Sequence, residues 1–136
     1  MSTTIRAVLS KKNHNYISKH RYYELKHFCL QYPEWREEYH KLYLEPGAYQ
    51  MRDSHNHMTS DRTADVAIRR NKLRKKMELV EQTALAVDPE LAEYILIAVT
   101  DGMSYEWLRM RKDIPCCREV FYETYRRFFK LLSESQ

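Results

Sequence analysis

The residues of this chain whose types and spacing could do chemistry are two groups of basic side chains. The first holds six cations in eight positions, namely Arg69, Arg70, Lys72, Arg74, Lys75 and Lys76. The second lies between Arg118 and Lys130 and mixes arginines with aromatic rings. Concentrated positive charge attracts phosphate groups, and long polar side chains on a helix can reach base edges. Both groups can therefore contact nucleic acid. The first group would bind phosphates without reading sequence, and the equal alternative for it is a solvated helix supported by charge pairs such as Arg74 with Glu78.

The second group has the layout of a helix-turn-helix. Gly102 is typical of a helix end, Ser104 can cap a second helix, and Ile114-Pro115 indicates a turn before a third. In such a motif the last helix enters the major groove of DNA. The outward stripe of that helix is predicted to hold Arg118, Glu119, Tyr122, Glu123 and Arg126. Of these, Arg118, Tyr122 and Arg126 are predicted to read bases or the adjoining backbone. Phosphate contacts are predicted for Arg127 and Lys130, and Phe121, Phe128, Leu108 and Ile114 are predicted to position the helix.

The same residues resemble a known family. Ser104-Tyr105-Glu106, Ile114-Pro115, Arg118 to Tyr122 and Tyr125 to Phe128 resemble the sigma-factor region-4-like end of phage late-gene transcriptional activators of the RinA/ArpU type. The resemblance covers about residues 59–132. It implies sequence-specific binding to duplex DNA and transcriptional regulation of phage or prophage genes in the cytoplasm of a bacterial host cell. A phage small terminase-like DNA-packaging subunit, which also uses such helices on DNA, is a near alternative.

A protein-interaction module that does not bind DNA is the alternative from another class. The first half of the chain has more aromatic side chains than two small helices need for mutual packing, namely Tyr22, Tyr23, Phe28, Trp35, Tyr39 and Tyr43. Exposed aromatic rings would mark a partner surface, for RNA polymerase, another protein or a second copy in a homodimer. The DNA hypothesis requires Tyr122 and Arg126 to project outward, so their exposure distinguishes the two classes.

Enzymatic chemistry has no support in the sequence. There is no glycine-rich phosphate loop and no Gly-x-Ser-x-Gly turn. Cys29 lies on the predicted apolar face of its helix, which favours burial over nucleophilicity. His55 and His57 lack the scaffold of a metal site, and the adjacent Cys116 and Cys117 do not easily ligate one zinc ion. We therefore predict no enzyme, no catalytic residue, no metal and no cofactor.

Composition sets the class of protein. The chain has 136 residues, a formal net charge of +4 and only 2 glycines, which argues against an all-β sandwich. Its 3 cysteines form no regular framework, which suits a reducing compartment. No apolar stretch approaches the ~20 residues of a membrane span, and no signal peptide is visible. These features predict a cytoplasmic protein without a membrane partner.

The spacing of apolar residues predicts an all-α fold of five to six helices. We expect a flexible arm over 1–17, an N-terminal helical hairpin over 18–44, a loop or linker over 45–60, and a helical DNA-binding domain over 61–136 with the helix-turn-helix at about 104–132. Val66, Leu73, Val80 and Val87 recur every seven residues on a long central helix. This seam favours packing within its own domain over a dimeric coiled coil.

Overall fold

Six helices form in the part of the chain that the computed structural model describes, residues 10–44 and 57–136, where no strand occurs. The all-α prediction is confirmed. The helices are α1 (Lys19–Leu30), α2 (Tyr32–Leu44), α3 (His57–Val87), α4 (Ala92–Asp101), α5 (Tyr105–Lys112) and α6 (Arg118–Ser135). Most of the predicted loop or linker at 45–60 lies outside the described residues, and its last four residues belong to α3.

The helix boundaries follow from capping residues. The Ser18 side chain accepts a hydrogen bond from the Arg21 amide at 3.3 Å and begins α1. The Ser104 side chain does the same for the Trp107 amide at 3.2 Å and begins α5. Gly102 ends α4 in the left-handed conformation, at φ 70°, which costs glycine nothing. These signals are local, so the sequence places them correctly.

Two boundaries differ from those that the local residues predict, namely Pro33 at the first position of a helix and Asp88 as the N-cap of the helix after α3. Pro33 is the second residue of α2 rather than its first, because α2 begins at Tyr32. Asp88 does not cap α4 directly. Its carboxylate accepts hydrogen bonds from the amides of Glu90 at 2.9 Å and Leu91 at 3.3 Å, which closes a turn before α4 begins at Ala92.

The described chain divides into two compact units, and the two helices of the predicted hairpin fall in different ones. The first unit contains the described residues up to Gln31 together with Leu79–Gln136. Within it, α1 packs on α4 and α6. The Tyr22 ring lies 5.1 Å from that of Phe129, and its hydroxyl lies 3.3 Å from that of Tyr125. Side chains from these helices with no solvent exposure form the core of this unit: Leu25, Cys29, Ile95, Phe128 and Leu132.

Residues 10–17, which we expected to belong to a flexible arm, form turns in the first unit. The Asn13 amide donates to the Ser10 carbonyl at 2.8 Å, and the Tyr16 amide donates to the Asn13 carbonyl at 3.0 Å. Asn15 is buried, and Lys130 of α6 donates to the Tyr16 carbonyl at 3.2 Å. The sequence does not show this anchor, because Lys130 lies more than a hundred positions away from Tyr16.

The second unit, Tyr32–Glu78, pairs α2 with the first part of α3. Trp35 and Leu42 of α2 are buried, as are Leu73 and Met77 of α3. Along α3 the apolar seam is covered by the chain itself, as the interpretation of a helix packed within its own domain expects. In the described residues, no helix combines the length and apolar character that crossing a bilayer needs.

Candidate nucleic-acid interface

The candidate recognition helix, α6, buries seven of its 18 residues in the first unit. Its aromatic and aliphatic side chains point inward on a broad face, because apolar residues stand both three and four positions apart along it. The buried residues of α6 are Phe121, Tyr122, Thr124, Tyr125, Phe128, Phe129 and Leu132. The faces left to solvent are correspondingly narrow. Phe121 and Phe128 position the helix as predicted, and Leu108 and Ile114 are buried beside α6 in the same unit.

Tyr122 does not project outward, so this prediction is wrong. Its side chain is 7% exposed. The Tyr105 ring of α5 lies 6.5 Å from the Tyr122 ring and 5.6 Å from the Phe121 ring. The adjacent side chains of Phe121 and Tyr122 therefore both pack against α5. The Tyr122 hydroxyl accepts a hydrogen bond from the Tyr105 amide at 3.5 Å. Tyr122 therefore joins α5 to α6 and presents no surface to a base.

Arg126 is only half-exposed, and its Nε atom is buried without a hydrogen-bond partner. Its charge lies near the Tyr22 hydroxyl and works against the burial that raises the pKa of Tyr22. The requirement that both Tyr122 and Arg126 project outward is thus not met, and the predicted base-reading stripe of α6 is not formed. Arg118 and Glu119 at its start are exposed, whereas Tyr122 and most of Arg126 are not.

The exposed cations of α6 are engaged within the fold. Arg118 pairs with Glu106 of α5 and lies 5.1 Å above the Tyr122 ring. Arg127 donates to the Val87 carbonyl at 2.9 Å. Three carboxylates, Glu119, Glu123 and Glu134, are exposed along the same helix. The surface of α6 therefore offers no surplus of positive charge to a phosphate backbone, and Lys130 is half-buried against Tyr16.

The cations of α3 have a different setting in the second unit. Arg69, Lys72, Arg74, Lys75 and Lys76 are exposed, and Arg70 is half-buried. Two of them form ion pairs with nearby carboxylates. Arg69 lies 3.2 Å from Glu38 and Arg74 lies 2.9 Å from Glu78.

Two further cations of α3 cover aromatic rings of α2. The Arg70 guanidinium lies 5.7 Å from the Tyr39 ring centre, and the Lys76 ammonium lies 5.6 Å from the Trp35 ring centre. Such contacts bury the aliphatic stem and leave the charge near water. The rings of α2 thereby fix where these charges stand.

Lys72 and Lys75 differ from the other cations of the Arg69–Lys76 cluster. Both are exposed, and within the described residues neither has a carboxylate or a ring as a partner. They are three positions apart, so they share one face of the helix. These two ammonium groups are the ones that a phosphate can contact without breaking an existing interaction.

The net positive charge of the chain is concentrated on this part of α3. Seven cations and two carboxylates lie between Arg62 and Glu78, a formal surplus of five positive charges. The whole chain carries +4. The remainder is therefore slightly negative, and electrostatic attraction to a polyanion is a property of this segment.

Sequence reasoning missed the basic end of α5. Arg109, Arg111 and Lys112 are exposed there, and between them Met110 is 84% exposed. The run of alternating basic residues was a visible signal. Cations in the last turn of a helix also interact favourably with its dipole, which is a sufficient local reason for them.

The aromatic residues of the first half do not form an exposed surface in the part of the chain that is described. The large apolar side chains that are exposed there are Ile68, Leu85, Met110 and Val120, none of them aromatic. The buried aromatics are Tyr22 and Trp35, the half-buried ones are Tyr23, Phe28 and Tyr39, and the Tyr43 side chain lies outside the described residues. The exposed aromatic surface that a protein-interaction module would need is therefore absent from the described residues of this half.

The cysteines have three environments. Cys29 is fully buried, and its burial raises the pKa of its thiol to about 12. Cys116 is half-buried, burial also raises the pKa of its thiol, and its carbonyl accepts a hydrogen bond from the Tyr105 hydroxyl at 2.7 Å. Cys117 is exposed at the start of α6. Across residues 10–44 and 57–136, no three His, Cys, Asp or Glu side chains are grouped to hold a metal ion.

No family model, curated protein or solved structure matches this chain. Its function is therefore inferred from the residues and their arrangement.

Proposed function

We propose that this chain binds duplex DNA, with its affinity supplied by the cations of α3 between Arg62 and Glu78. The observation that carries the proposal is the surplus of five positive charges in this segment of a chain whose total is +4. Phosphate contacts dominate the affinity of proteins for DNA, and each one releases counterions from the backbone. A helix with this surplus and two unpartnered lysines is suited to that role.

The pair α5 and α6 is the proposed reading element. The two helices contact each other, and Asp113 adopts the left-handed conformation at the turn between them, with φ 53°. Asp is among the few residues that accept this conformation at modest cost. The exposed side chains at the start of α6 are Arg118, Glu119 and Glu123. Arginine can bond guanine and carboxylates can accept from cytosine, so this set can contact base edges without adding net charge.

Arg118 is the side chain of this reading element that is best prepared for contact. Its guanidinium is held by Glu106 on one side and by the face of the Tyr122 ring on the other. A side chain that is already ordered loses less conformational entropy when it binds. Tyr122 thus supports Arg118 in place of the base-reading role that the sequence suggested.

The biological role that we propose is transcriptional regulation of phage or prophage genes, which the resemblance to RinA/ArpU-type activators supports. A DNA-packaging subunit would use the same phosphate contacts without preferring one sequence. Fragments that flank the gene of this protein, compared with random duplex, distinguish these roles. Preference for one fragment supports regulation, and equal binding supports packaging.

The test removes the two unpartnered lysines. Binding of a fluorescently labelled duplex of about 20 base pairs is followed by anisotropy for the wild type and for K72A/K75A across a salt series. Each lost phosphate contact makes the negative slope of log K against log salt shallower by about 0.9. The slope of the double variant should therefore be about 1.8 less steep than that of the wild type. Affinity should fall by at least about tenfold at low salt.

The matched control is K19A/K41A, which removes the same charge from exposed positions on α1 and α2. Its slope should equal that of the wild type. An equal decrease in both double variants would mean that net charge alone matters and that α3 is not the binding surface. An unchanged slope in K72A/K75A would reject the assignment as well.

A further inference from the structure

A surface cleft of about 700 Å³ lies in the first unit, and of the residues predicted to contact DNA only Lys130 lines it. It is an open depression bordered by the turns of residues 10–17, the start of α1 and the end of α6. Its charged or chargeable lining side chains are Lys11, Lys12, His14, Arg21 and Lys130. No Asp or Glu is among the lining residues. The field inside the cleft is therefore positive.

Lys130 is fixed at the wall of the cleft. Its ammonium group donates one hydrogen bond to the Tyr16 carbonyl at 3.2 Å, and an ammonium has three donors. The carbonyl is neutral, so it holds the side chain without cancelling its charge. Glu134 lies 4.0 Å away, beyond hydrogen-bond distance, and its side chain is 60% exposed. Lys130 therefore retains donors for a ligand.

Arg21 is held in a similar way. Its guanidinium donates to the main-chain oxygens of Ser133 and Gln136, each at 3.2 Å, and pairs with Glu24 at 2.7 Å. The side chain is 29% exposed, whereas that of Glu24 is 66% exposed and does not line the cleft. Arg21 thus joins the end of α6 to the start of α1 and brings a fixed positive charge to the cleft.

Lys11 and Lys12 are the exposed cations of the cleft. They occupy the two central positions of the turn that the Asn13 amide closes on the Ser10 carbonyl, at 2.8 Å. The Ser10 hydroxyl also accepts from the Lys12 amide at 3.3 Å. Both lysine side chains are exposed and have no carboxylate partner within the described residues. A closed turn therefore presents two unpartnered ammonium groups beside two anchored cations.

We propose that this cleft binds a ligand through its phosphate groups. Four permanently charged cations without a lining carboxylate favour a ligand with more than one negative charge. The volume lies within the range of small-ligand sites, and Ser18 at the start of α1 adds the positive end of a helix dipole to the cation cluster. The phosphates can come from a free nucleotide or from a nucleic-acid backbone, and both present the same chemistry to the cleft.

The test is an amide-resolved NMR titration of the full chain with pyrophosphate. We expect saturable shifts at the amides of residues 10–21 and 130–136, and at least about tenfold weaker binding in K11A/K12A. The control K41A/K112A removes two exposed cations that do not line the cleft, and it should change binding by less than about twofold. The spectrum itself shows whether each variant is folded. No saturable shift, shifts confined to other residues, or equal weakening in both variants would overturn the proposal.

Two further titrations distinguish the source of the phosphate. If ATP shifts these amides and a duplex of about 20 base pairs does not, the ligand is a small phosphorylated molecule. If the duplex shifts them and competes with pyrophosphate, the ligand is a nucleic-acid backbone. Either result supports a phosphate site. This readout does not depend on α3, so failure of the cleft and failure of the proposed DNA binding are observed separately.

Discussion

Replacing Tyr122 separates a structural role from a base-reading role. The side chain is 7% exposed and lies between Tyr105 and Arg118. Tyr122→Ala removes a buried ring, which costs about 3–5 kcal/mol of unfolding free energy in comparable cores. For a chain of this length that corresponds to a decrease in Tm of roughly 10–20 °C. Tyr122→Phe removes only a hydroxyl whose hydrogen bond is 3.5 Å long, so its cost should be below about 1 kcal/mol.

The assay measures thermal unfolding and DNA anisotropy on the same samples. Tyr122→Phe keeps the ring beneath Arg118, so affinity for DNA should stay within about twofold of the wild type. A tyrosine that contacted a base through its hydroxyl would lose about 1–3 kcal/mol of binding free energy, which is roughly fivefold or more. Loss of DNA binding by a fully stable Tyr122→Phe variant would refute the core assignment, as would a Tyr122→Ala variant with unchanged Tm.

Further predictions concern the stability of the first unit. Gly102→Ala should lower the unfolding free energy by about 1–2 kcal/mol, measured by urea denaturation, because φ is 70° at this position; an unchanged midpoint would contradict it. Tyr22→Phe and Tyr125→Phe should each lower the unfolding free energy by about 1–2 kcal/mol. Because their hydroxyls are mutual partners at 3.3 Å, the double variant should lose less than the sum of the two single losses. Strictly additive losses would argue against that hydrogen bond. Burial raises the pKa of the Cys29 thiol from 9.0 to about 12, so its contribution to stability is complete below pH 9 and is lost as pH rises toward 12. Unfolding free energy should fall by about 1 kcal/mol between pH 9 and 10, and less in Cys29→Ala; parallel pH profiles would contradict this cause.

Local signals predicted much of the fold. Ser104 and Gly102 bound their helices as expected, because capping depends on a few neighbouring residues. The position of α1 could not be read in the same way. Its place against α6 depends on Tyr22 meeting Tyr125, a contact between residues 103 positions apart. Periodicity shows which face of a helix is apolar and does not show which helix covers it.

The candidate interface shows a similar limit. Adjacent Phe121 and Tyr122 leave the edge of the apolar face of α6 undefined, and Tyr105 of another helix decides it. The sequence located the cations of α3 correctly as a group. It could not show that Glu38 of α2 would pair with Arg69 while Lys72 stayed without a partner, because that depends on how α2 and α3 pack.

The most direct test of the account is the salt dependence of duplex DNA binding by the wild-type chain. Two unpartnered lysines give the lower limit of phosphate contacts on α3, and the six exposed cations between Arg62 and Lys76 give the upper limit. The slope of log K against log salt should therefore lie between about −2 and −5. A slope in this range on random duplex, with tighter binding to a fragment flanking the gene, is the predicted result. No binding at low salt, or binding that salt does not weaken, would contradict the claim that the cations of α3 bind the phosphates of the DNA backbone.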